Sequence, residues 1–117
     1  MNNIQLAWSN EFDTCSSSRL DFAIPGYTFD HTTSMVQVYR PSDWYADKGW
    51  VYQDKWTCHF YFDGMQNGPA GAAHLCNDDF DIPDTKTADE MKQALGKLTP
   101  EDFARTLAAH GYKPDRK

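Results

Sequence analysis

The sequence predicts an α+β domain spanning residues 1–117: an antiparallel sheet of five or six strands, followed by two C-terminal helices packed on one face. Three observations predict it. Apolar residues alternate with a period of two through the first two thirds of the chain. After Lys86 the period shifts to about 3.6. Between these regions lie turn and helix-cap signals, with no linker or repeat that would divide the chain.

Taken in order, residues 4–8 place Ile4, Leu6 and Trp8 on one face of a first strand. Leu20, Phe22 and Ile24 repeat the pattern until Pro25-Gly26 breaks it. Between them, Cys15-Ser16-Ser17-Ser18 reads as a polar turn. Met35 to Tyr39 is β-rich and ends at Pro41, with Val36 and Val38 on one face and Met35, Gln37 and Tyr39 on the other. The polar stretch 42–49 is expected to hold a helical turn capped by Ser42, and Trp50 and Tyr52 follow it. Trp56, Cys58, Phe60 and Phe62 mark the strongest strand, with Asp63-Gly64 as its turn and residues 72–76 as the returning partner.

Thr87-Ala88-Asp89-Glu90 is a capping box that opens a helix with Met91 and Leu95 inward and Gly96 as a left-handed stop. Thr99 caps the second helix, with Pro100 at its first position and Glu101 and Asp102 at its positive end. Leu98 and Phe103 occupy the two positions of a hydrophobic staple. Gly111 and Tyr112 form a Schellman ending that packs back on Leu107.

Charge and composition narrow the function classes. Eleven Lys and Arg stand against seventeen Asp and Glu, a net charge of −6. That balance disfavours phosphate backbones and anionic membranes as partners. A helix-turn-helix reading of the two C-terminal helices fails, because Glu101 and Asp102 open the would-be recognition helix. The stretch Met1-Asn2-Asn3-Ile4-Gln5-Leu6 has neither a basic nor a long apolar segment, and no apolar run is long enough to span a bilayer. The three cysteines read as reduced thiols. A cytoplasmic location is therefore expected.

Chemical motifs are sparse. Cys58-His59 and His74-Leu75-Cys76 have zinc-type side chains, but adjacent strand residues point to opposite faces, so no metal or other cofactor is assigned. Glycines 64, 68 and 71 have the spacing of a hairpin loop, with no phosphate-binding signature. His31, His59, His74 and His110 have no spacing that makes any of them catalytic, and no catalytic residue is nominated. Asp78, Asp79, Asp81 and Asp84 form an acidic patch without the EF-hand pattern; they read as a solvated loop or as a surface for a basic partner.

The most informative feature is aromatic density. Nine of the seventeen aromatic residues lie between Tyr39 and Phe62. Phe60, Phe62 and Trp56 share the core parity of their strand, whereas Tyr61 has the opposite parity and Trp44 and Tyr45 sit in a polar connection. Aromatics on both faces need a second cover. Trp44, Tyr45, Trp50, Tyr52, Trp56 and Tyr61 are therefore the candidate binding residues. The expected function is a non-catalytic module binding a protein partner and self-associating, in an inhibitor, immunity-type or adaptor role. The alternative is a small-molecule-binding protein or small pocket enzyme, with Trp50, Tyr52, Trp56 and Phe60 lining an apolar cavity oriented by His59 or Asp54.

Overall fold

The computed structural model describes residues 3–65 and 73–115, the side chains of residues 10–12 excepted. It is an α+β arrangement containing an antiparallel sheet and two helices. The elements run β1 (Ser9–Phe12), β2 (Cys15–Arg19), β3 (Met35–Tyr39), β4 (Ser42–Tyr45), β5 (Gly49–Tyr52), β6 (Thr57–Phe62) and β7 (Ala73–Cys76). A 3-10 turn (Asn77–Phe80) follows, then α1 (Ala88–Leu95) and α2 (Pro100–Ala109). Five strands pair in the order β1-β2-β3-β6-β7, and β4 and β5 form a separate two-stranded sheet. The glycine loop read at positions 68 and 71 lies outside the described residues.

Strand β3 falls where its β-branched pattern places it, and β6 begins one residue after Trp56. The register aligns Val36 with Phe60 and Val38 with Cys58, while β7 sets Leu75 against Phe60. These even-numbered positions of β3 and β6 are fully buried. Phe103 of α2 lies 5.0 Å from the Phe60 ring and 5.9 Å from Phe62, and Met91, Leu95 and Leu107 join the same cluster. The cluster extends from Ile4 to Tyr112.

Several local expectations are corrected. Residues 4–8 and 20–24 alternate in burial without belonging to strands. Ile4 packs into the core cluster, and its N–H donates to Leu98 O at 2.8 Å, which ties the segment to the connection between the helices. Leu20 N–H donates to Ser34 O, and Ile24 bridges Tyr27 around Gly26. A period of two reports a buried side, and that side can form without a ladder. Conversely, the serines expected in a turn form β2, paired on both edges, with Ser16, Ser17 and Ser18 all buried. Small side chains let the backbone ladder supply order that hydrophobicity did not signal.

Both helices begin as their caps dictate. Thr87 accepts from Glu90 N–H at 3.1 Å, and Thr99 accepts from Asp102 N–H at 3.2 Å. The reciprocal capping box expected at Thr87 forms at α2 instead: Asp102 accepts from Thr99 N–H at 2.8 Å, whereas Glu90 Oε1 accepts from the Thr87 hydroxyl at 3.0 Å. Gly96 is not a left-handed stop: its φ of −65° is right-handed, and tight turns through Lys97 and Leu98 lead directly to the next cap. Gly111 does adopt φ +90°, and Tyr112 N–H reaches Leu107 O at 3.0 Å.

Candidate functional site

The segment 42–49, expected to be polar connection with a helical turn, is instead β4 and the turn into β5. Trp44, Tyr45, Trp50, Val51 and Tyr52 favour extended backbone, and their combined propensity outweighs the single cap signal of Ser42. Trp44 pairs with Trp50, Asp43 with Val51, Ser42 with Tyr52 and Tyr45 with Gly49. Alternation then puts Ser42, Trp44, Trp50 and Tyr52 on one face of the hairpin. The two indoles meet edge to face at 5.5 Å, a favourable cross-strand geometry.

The tip is closed by Lys48 N–H donating to Tyr45 O at 3.2 Å. Gly49 follows at φ +76°, a conformation that costs glycine little and side-chain-bearing residues much more. The root is held by Gln53 N–H to Pro41 O at 2.8 Å and by Arg40 Nε to Gln53 O at 2.9 Å. The Arg40 guanidinium also sits 5.8 Å from the Tyr52 ring. The hairpin is thus internally ordered and fixed at its base, yet its large side chains stay in water. Trp44 is 62% exposed, Trp50 60%, Tyr45 46%, Tyr52 42% and Val51 40%. The radius of gyration, 15.0 Å, exceeds the roughly 13 Å of a compact chain of this length.

The other two candidate aromatics lie elsewhere. Trp56, at the foot of the arm, exchanges backbone hydrogen bonds with Thr85 (2.7 and 3.0 Å) and packs half-buried against the core. Tyr61 lies on the face of the main sheet opposite Phe60. Register places Gln37, His59 and Cys76 in one row of that face, and Met35, Tyr61 and His74 in the next. Tyr39 Oη lies 3.1 Å from His59 Nε2 and 3.2 Å from Nδ1, while Tyr61 Oη lies 3.2 Å from Nδ1. His74 stacks on Tyr61 and meets His59 edge-on, each at 4.7 Å. Burial, and then His74 beside it, hold the His59 imidazole below its ordinary pKa. Burial raises the Tyr39 phenol, and Tyr61 adds to the effect.

Cys58 faces the opposite way, into the core, where burial pushes its thiol far up and suppresses the nucleophilic thiolate. The thiol-imidazole set is therefore divided between two faces of the sheet. Among the described residues, no group of three or more His, Cys, Asp or Glu side chains is placed to hold a metal ion. No helix among them is long and apolar enough to cross a membrane.

The acidic patch is also divided. Asp79 accepts from Cys76 N–H at 2.8 Å and lies 3.1 Å from His110 Nε2. Asp84 accepts from Asn77 Nδ2 at 3.0 Å and pairs with Lys55 Nζ at 3.3 Å. Burial works to raise the Asp84 pKa, but hydrogen bonds from Asn77 and Lys55 outweigh it and hold the carboxyl below its ordinary value. Asp78 and Asp81 point into solvent.

Phe60 is enclosed in the core whereas Trp50 and Tyr52 are on the arm, so the structure does not bring the four expected cavity aromatics together. A different groove, about 690 Å³, is lined by Ile4, Leu6, Asp21, Phe22 and Pro100 among others. The sequence reading missed Asn77, whose side chain joins β6 to the acidic segment. A lone asparagine ahead of an aspartate run carries no signal of that role. Comparison with protein-family models, curated protein sequences and solved structures finds no match to this chain.

Proposed function

We propose that this chain is a non-catalytic interaction module that binds a protein partner, including a second copy of itself, through the aromatic arm β4–β5. A role as an inhibitor, immunity-type protein or adaptor fits that chemistry. The observation that carries the reading is five large side chains between 40% and 62% exposed on one short hairpin. Trp and Tyr supply large contact area with a polar handle and dominate the energetics of many interfaces. Apolar groups clustered at this density on a surface mark interaction sites more often than accidents of folding. Asp78 and Asp81 supply negative charge that would steer a basic rim of the partner.

The test is affinity capture with the full chain and with a Trp44→Ala/Trp50→Ala chain, alongside thermal-shift screening against metabolites. The proposal expects a partner lost with the two indoles and no metabolite hit. A metabolite that stabilises both chains equally, with no arm-dependent partner, would support the pocket reading instead.

A further inference from the structure

We infer that the arm's occupant is the arm of a second copy, the two β5 strands pairing antiparallel across a two-fold axis into one four-stranded sheet. This rests on the interaction reading above and identifies which edge is used. The arm is a two-stranded sheet, so β4 and β5 each present an outer edge with unpaired backbone groups. Natural edges are normally blunted by charge, proline or a bulge. The β4 edge has such protection, with Pro41 before it and Asp43 within it. The β5 edge, Gly49-Trp50-Val51-Tyr52, contains neither charge nor proline, and its glycine turn lies only at the tip.

Antiparallel pairing about a two-fold axis requires a strand that complements itself. Against its own copy, β4 would bring two Asp43 side chains together, whereas β5 meets only aromatic and β-branched neighbours. Isolated two-stranded hairpins are marginal in water, and adding strands to an apolar face stabilises them. Each arm exposes about 500 Å² on its five large side chains, taking ring areas of 150–250 Å². Edge pairing covers only part of it: with Val51 set against Val51 of the second copy, Trp50 lies beside that copy's Tyr52, while Trp44 and Tyr45 stay on the outer strands, so the buried area falls below that of a standard interface. The dimer is accordingly reversible and concentration-dependent.

Sedimentation velocity on the full chain, from low micromolar to several hundred micromolar, tests this. Val51→Lys sets like charges against each other across the axis, yet its cross-strand neighbour Asp43 gives the new ammonium a partner within the arm. Ala46→Lys, in the turn, is the control. The expected result is a dimer that weakens at least tenfold in Val51→Lys and is unchanged in Ala46→Lys, with equal far-UV circular dichroism. A wild-type monomer throughout, or a dimer indifferent to Val51→Lys, overturns the inference. If that monomer still captures a partner through Trp44 and Trp50, the interaction reading stands and only the self-pairing falls. Should Val51→Lys fail to fold, amide exchange in wild-type β5 decides: slowing with concentration supports the pairing, and no change overturns it.

Discussion

Replacing Asn77 with alanine should destabilise the chain more than any other single polar truncation in this region. The Asn77 side chain is 1% exposed and makes four hydrogen bonds. Its Oδ1 accepts from Cys58 N–H at 3.0 Å and from Thr57 Oγ1 at 2.8 Å. Its Nδ2 donates to Ile82 O at 2.7 Å and to Asp84 Oδ1 at 3.0 Å. Alanine strands the N–H of fully buried Cys58, at about 1–3 kcal/mol for a buried unsatisfied group. The remaining three bonds, partly recovered by water, add about 0.5–1 kcal/mol each. A total of about 3–5 kcal/mol is a large share of the roughly 5–15 kcal/mol typical of a domain. Urea unfolding followed by tryptophan fluorescence and circular dichroism measures it, with the m-value expected to stay constant. Asn77→Asp supplies a second check: it sets a carboxylate against Asp84, so its penalty should grow from pH 4 to pH 7. A loss under about 1 kcal/mol for Asn77→Ala would show that water already serves these groups and would refute the reasoning.

Two further outcomes follow. Phe103→Ala removes a ring buried against Phe22, Phe60, Phe62 and Phe80 and should cost about 3–5 kcal/mol, whereas Trp44→Ala should cost no more than about 1 kcal/mol by the same urea assay. The His59 imidazole has a folded-state pKa below its unfolded value, so the unfolded chain binds more protons in the window between them. Stability contributed by neutral His59 is complete above the unfolded value and is lost as pH falls toward the folded one. Urea midpoints at pH 7.5 and 5.5 should therefore drop on acidification, and His59→Gln should reduce that drop; an unchanged slope contradicts the assignment.

Where local chemistry decides structure, the sequence was readable. Thr87, Thr99, Pro100 and Gly111 act through hydrogen bonds and φ values set within a few residues, and they work where their spacing puts them. The alternation in Met35–Tyr39 and Thr57–Phe62 was equally plain, because one face of each strand meets the core. Long-range pairing was not readable. The β2 serines are ordered by two neighbouring strands, and Ile4 at the head of the 4–8 segment is held by a hydrogen bond to Leu98 rather than by a ladder. Gly96 shows how the next element overrides a stop signal: Thr99 caps α2 so soon that the chain turns without a left-handed residue. For the candidate site, aromatic excess was visible but its distribution was not. Parity separated Tyr61 from Phe60, yet only the cross-strand register reveals that Tyr61, His59, Tyr39 and His74 adjoin. Trp44 and Tyr45 looked like connection because the residues around them are polar; the hairpin depends on Trp50 and Tyr52 returning opposite them.

The central claim is that the middle-third aromatics divide between the main sheet and its foot, where they are buried or half-buried, and an arm left in water. Oxidative footprinting of the dilute chain, read by mass spectrometry at each tryptophan, tests that division directly. Trp44 and Trp50 should be modified quickly and Trp56 several-fold more slowly. Equal protection of all three, at a concentration where sedimentation shows a monomer, would mean the arm folds back onto its own subunit and has no surface to offer.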